Sequence, residues 1–113
     1  MSKRDSNLLL EDILESIEKI EHYTKDILFD EFANNGLVFD ATIRNFEIIG
    51  EASINIPDEI KNKFPTIPWQ QIRGLRNRII HEYFGVDVSI VWYIIENELP
   101  QLKLEIERAL TAQ

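Results

Sequence analysis

Two side chains with complementary chemistry stand five residues apart in Arg76-Asn77-Arg78-Ile79-Ile80-His81-Glu82-Tyr83. A guanidinium offers a fixed positive fork of donors that suits an anion. An imidazole can take up and return a proton near neutrality. Together they could run acid–base chemistry on an anionic group. As a bare pattern Arg-x4-His is weak. With six Arg and two His in 113 residues, it arises by chance in roughly one such chain in ten. The Asn after the Arg, the Tyr two beyond the His and the position at a helix end sharpen it. Structural roles compete for the same residues: His81 as a capping histidine at a helix C-terminus, Tyr83 as a half-buried aromatic with its hydroxyl in water.

Helix geometry limits what this segment can do. A spacing of five leaves Arg76 and His81 about 140° apart around a helix. One straight helix therefore cannot aim both at one group. Asn77 is four residues before His81 and shares its face, whereas Tyr83 lies about 20° from Arg76 and two turns further on. A working site requires the helix to end around His81, or a two-fold dimer that brings two copies of the segment together.

Other catalytic constellations are missing. There is no cysteine, so disulfides and thiolate metal sites are excluded. There is no glycine-rich phosphate loop, no G-x-S-x-G and no H-E-x-x-H. The paired E-x-x-H of di-iron bundles is also absent. Glu18 and His22 stand at i,i+4 on an acidic helix face and read as a surface ion pair. No metal and no cofactor is expected. The net charge of −8 argues against indiscriminate nucleic-acid binding, but it is unevenly spread. Residues 1–60 hold 14 acids against five bases, while Lys61 to Arg78 hold five bases and no acid. That stretch is either a solvated basic patch or a local anion site.

The elements that must position these residues read as helices. A polar N-terminus without a signal-type apolar run, and no stretch of membrane-spanning length, predict a cytoplasmic protein, and 113 residues fit a single domain over 1–113. A first helix starts near Asp5-Ser6-Asn7 with Leu10, Ile13, Leu14, Ile17 and Ile20 on one face and extends as far as Ile27. A loop or short helix from Phe29 stops at Asn34-Asn35-Gly36. A second, central helix runs from Val38 to Ile56, apolar except for the stripe Asp40, Arg44, Glu47, Glu51 and Asn55, which is either an exposed edge or the lining of a cleft. A short helix from Pro57 ends by Phe64-Pro65. Pro68 suits the first turn of the next helix, which carries Trp69, Ile72, Leu75 and Ile79 inward and stops at Gly85. A last helical region spans Val88 to Thr111, and Pro100 should kink it or divide it. No segment alternates as a strand would.

The segment around His81 resembles the R-x4-H-x-Y motif of HepT proteins, within the R-x4–6-H pattern of HEPN ribonucleases. Ile43-Arg44-Asn45-Phe46-Glu47-Ile48-Ile49-Gly50-Glu51-Ala52 is similar to that family's second helix. Ile67-Pro68-Trp69-Gln70-Gln71-Ile72-Arg73-Gly74-Leu75 is similar to its approach to the motif, and Glu98-Leu99-Pro100-Gln101-Leu102 to its last helix. The resemblance covers nearly the whole chain. It implies an all-α, up-and-down bundle of four to five helices that forms a two-fold dimer. It implies a metal-independent RNA endonuclease, the toxin of a toxin–antitoxin pair, acting on mRNA or tRNA. Arg76 and His81 would be catalytic, with Asn77, Arg73, Arg78, Glu51 and Arg44 supporting them or binding RNA. A cognate nucleotidyltransferase antitoxin would add AMP to Tyr83. A rival reading is a non-catalytic HEPN module that binds a nucleotide or a partner protein. A purely structural dimeric bundle is another. The antitoxin itself is disfavoured, because its Gly-Ser and Asp-x-Asp signature is missing.

Overall fold

The computed structural model describes residues 5–82 and 85–112. Its elements are α1 (Ser6–Thr24), α2 (Phe29–Ala33), α3 (Gly36–Asn55), α4 (Asp58–Lys63), α5 (Trp69–His81), α6 (Val88–Asn97) and α7 (Leu99–Ala112), with no strand among the described residues. The expected all-α bundle is what the chain forms. α1 and α3 are its central pair. α5 lies against α3, α7 against α1, and α6 against α7, in a body 40 × 28 × 22 Å across.

The core follows from the periodicity of α1 and α3. Leu10, Ile13, Ile17 and Ile20 of α1 are completely buried, facing Ile43, Phe46 and Ile49 of α3. Burying each such side chain contributes about 1.5–3 kcal/mol. Two buried polar residues of α3 turn back on their own backbone, Ser53 Oγ donating to Ile49 O at 2.7 Å and Asn45 Nδ2 to Ala41 O at 2.9 Å, whereas Thr42 Oγ1 is buried without a partner among the described residues. An aromatic group of Phe29, Phe32, Phe39 and Trp92 ties α2 to α3 and α6.

Several boundaries differ from the sequence reading. α1 ends at Thr24, ahead of Ile27, and Asp26 adopts a positive φ of 61° in the turn that follows. Gly36 begins α3, where the sequence suggested a stop. The reason is Asn35, whose side chain accepts from Val38 N and caps the helix. Pro68 is the N-cap of α5 and not a member of its first turn. α5 ends at His81, short of Gly85, and only Ile79 is buried on it, with Trp69, Ile72 and Leu75 half-buried. Pro100 does divide the last region. The break falls at Glu98, and Pro100 then sits in the first turn of α7, where its missing N–H costs no helical bond.

Candidate active site

α3 and α5 cross at Gly50 and Arg76. A Cβ added to Gly50 would lie 2.3 Å from the Cβ of Arg76, inside any permissible contact. Glycine at this point is what lets the stem of Arg76 lie on α3. The next residue of α3, Glu51, then meets the guanidinium: Arg76 Nη2 donates to Glu51 Oε2 at 2.8 Å. Arg76 Nη1 donates to Asn77 Oδ1 at 3.1 Å. The Nε is buried without a partner among the described residues. Arg76 is thus held along both edges, with one hydrogen on each terminal nitrogen left over.

An open groove of about 980 Å³ adjoins this ion pair. Arg44, Glu47, Glu51 and Asn55 of α3 line it, facing Arg76 and Ile80 of α5. Four of the five residues of the polar stripe of α3 therefore line a cleft, Glu47 half-buried and the others exposed, while Asp40 lies outside it. Asp12 and Asp58 add to its acidity. On the other flank of α5 lies a largely apolar groove of about 550 Å³ among Phe46, Ile72, Leu75, Ile90, Tyr93 and Leu102. The ridge between the two carries Asn77 and His81, both exposed.

His81 is the last residue of α5. It forms no hydrogen bond with a described residue, and Asn77 turns its amide oxygen to Arg76. α5 is helical throughout from Arg76 to His81, so the two differ by about 140° and about 7.5 Å along the axis. One protomer does not bring them together. Arg78 pairs loosely with Glu82 at 3.6 Å. Arg73 and Arg44 are exposed. The expectation for Tyr83 lies outside the described residues. No three His, Asp or Glu side chains among the described residues are grouped as metal ligands would be, and no helix among them is long and apolar enough to cross a membrane. Sequence reasoning missed Gly50, whose only signal was an isolated glycine inside a helical pattern.

The chain matches the family model described as Ribonuclease HepT-like over residues 13–109. It belongs to the HepT-like ribonuclease family. Curated relatives agree. It is 48% identical over 107 residues to "Putative RNase MJ1380" of Methanocaldococcus jannaschii, covering 95% of this chain and 98% of that protein. It is 44% identical over 106 residues to "Probable ribonuclease HepT" of Thermococcus cleftensis, covering 94% and 96%. No solved structure matches it.

Proposed function

We infer that the chain is a metal-independent RNA endonuclease whose catalytic groups are Arg76 and His81, working as the toxin partner of a nucleotidyltransferase antitoxin. The observation that carries this is the state of Arg76. Its guanidinium is oriented by Glu51 and Asn77 at the mouth of an open groove, in a chain of ribonuclease family, on the same helix as an exposed, terminal histidine.

The chemistry proceeds without an added group. An imidazole takes the proton of a ribose 2′-hydroxyl, and the 2′-oxygen bonds to the adjacent phosphorus. The bond from phosphorus to the 5′-oxygen breaks, and that oxygen receives a proton from an imidazolium. The products carry a 2′,3′-cyclic phosphate and a 5′-hydroxyl. Negative charge growing on the phosphoryl oxygens is met by the free donors of Arg76. Because one protomer separates the two groups around α5, the acting pair is Arg76 of one protomer with His81 of its partner, in a two-fold dimer.

The test is cleavage of RNA by purified protein with and without EDTA. Arg76→Ala and His81→Ala are expected to lower the rate on the order of 100-fold or more, since each removes a transition-state role. EDTA should not inhibit. A fully active variant of either kind, or metal-dependent cleavage leaving a 5′-phosphate, overturns the assignment.

A further inference from the structure

The fold aligns the basic stretch of the chain with Arg76. Trp69, Arg73 and Arg76 follow at spacings of four and three and form one stripe on α5. α4 adds Lys61 at the start of that stripe. Lys61 Nζ lies 5.9 Å from the centre of the Trp69 ring, and the ring is anchored by donation from Trp69 Nε1 to Phe64 O at 3.1 Å. Arg73 is exposed and forms no ion pair with a described residue. From Trp69 to Arg76 the stripe covers about 10 Å, room for about two phosphates of an extended strand. The groove beside Arg76 is mixed in charge, with Asp12, Glu47, Glu51 and Asp58 in its walls together with Arg44. The stretch from Lys61 to Arg78 that carries the stripe holds no acid, so a polyanion is drawn to Arg76 along it.

We propose that Lys61 and Arg73 form a track that binds the sugar–phosphate backbone of single-stranded RNA and leads it to Arg76. The proposal rests on the ribonuclease reading and adds where, and in what form, the substrate binds. Single-stranded RNA is favoured over a duplex because one short helical stripe cannot span the successive minor grooves by which double-stranded RNA is recognised. It is favoured over an acidic protein segment because the stripe ends on the one cation that the cleavage chemistry requires.

The test uses the full chain carrying His81→Ala, which slows cleavage, and a fluorescein-labelled single-stranded RNA of mixed sequence. Its affinity is measured against salt concentration. Each cation that contacts a phosphate contributes about 0.7 to the slope of log affinity against log salt for a single strand. The variant K61Q/R73Q should therefore lower the slope by about 1.4. R73Q, which leaves the Lys61–Trp69 contact intact, should lower it by about 0.7. Restoring charge with K61R/R73K should restore the slope. In the cleaving protein the double variant should raise KM and leave kcat in place. Unchanged slopes in both variants overturn the track, as does displacement of the RNA by a polyglutamate peptide at equal charge concentration. Full cleavage by the Arg76→Ala protein would instead overturn the nuclease assignment, leaving the slopes as a separate result.

Discussion

Arg76 reaches the site already constrained. Two of its donors are engaged by Glu51 and Asn77, and its aliphatic stem rests on a glycine. The Glu51 pair is more than half open to solvent on the carboxylate side, so it adds at most about 1 kcal/mol to stability. What it supplies is orientation, at the cost of some of the cation's pull on a phosphate. Arg76 and His81 stood out in the sequence by residue type and spacing, and Glu51 only as one member of the polar stripe of α3; that Glu51 pairs with Arg76 was not legible. Gly50 was not, because its role depends on which residue of another helix lies opposite. Neither was the contact between Lys61 and Trp69, which joins two elements across a loop. Tyr83 was singled out by its place two residues after His81. An AMP joined to its hydroxyl would add a bulky anion of the kind that guanidiniums bind, and would so compete with RNA for the cations of the proposed site. Tyr83→Phe should therefore cleave RNA at the normal rate, because the hydroxyl has no step in the reaction, and should escape neutralisation by a catalytically active antitoxin. Intact-mass measurement after co-expression should show added AMP on the parent chain and none on the variant. A Tyr83→Phe protein still silenced and still carrying AMP would place control at another residue.

At the scale of elements, the contact of α3 with α5 carries the site, and its sign under mutation can be worked out. Glycine inside a helix is less favourable than alanine by about 0.5–1 kcal/mol, so Gly50→Ala should stabilise α3 if local preference decided the outcome. The new methyl would instead meet the Arg76 stem at 2.3 Å, with the α5 backbone at 3.5 Å behind it. Overpacking of this kind costs about 1–3 kcal/mol, which exceeds the propensity gain. Gly50→Ala should lower the melting temperature and reduce cleavage by turning Arg76 away from Glu51; a variant that melts higher and cleaves normally would show that α5 shifts freely. The start of α6 gives a pH test. Asp87 caps it, accepting from Ser89 Oγ at 2.6 Å and Ser89 N at 2.8 Å. The hydroxyl bond first, and the amide bond next, hold its carboxyl below the ordinary value of 3.8. A lowered native pKa means that the cap contributes fully above the ordinary carboxyl value and is lost as pH falls through the lowered one. Asp87→Asn keeps a capping side chain, so it should change stability little at pH 7 and weaken the loss seen in acid. An identical acid-unfolding profile in both proteins would remove Asp87 from the account. Helix boundaries were less legible than helices, as Asn35-Gly36 illustrates: the same residues that end one helix can cap the next.

The whole molecule leaves a surface that its own fold does not cover. α5 and α6 bury only Ile79, Val91 and Ile95 among them, while Ile72, Leu75 and Ile94 are half-buried and Ile90 and Tyr93 are 42% and 58% exposed on one face. The bundle was legible from periodicity, but this shortfall was not, since a helical pattern shows which face is apolar and not whether the chain itself supplies the cover. The exposed face flanks the ridge of Asn77 and His81, and Gly74 on α5 has open space around it where another helix could approach closely. A second copy packed across this face would bury the apolar residues and bring the partner's copy of the motif to the ridge of Asn77 and His81, a juxtaposition that a single α5 denies. Isologous packing does this at both motifs at once. Replacing Ile90 or Tyr93 with Glu puts a charge into that interface while touching only exposed positions of the protomer, so the helical content should be unchanged. Light scattering should then report a dimer for the parent chain and a monomer for Ile90→Glu and Tyr93→Glu, with RNA cleavage lost alongside the dimer. Mixing Arg76→Ala with His81→Ala protein gives the sharper result. Each homodimer lacks one group at both motifs, but the mixed dimer keeps one intact Arg76–His81 pair across the interface. If the pair acts between protomers, random mixing places about half of the protein in mixed dimers with one of two sites intact, and cleavage should return to about a quarter of the parent rate. No return of activity, with exchange of protomers verified, would mean that Arg76 and His81 act within one chain and that α5 must open to let them meet.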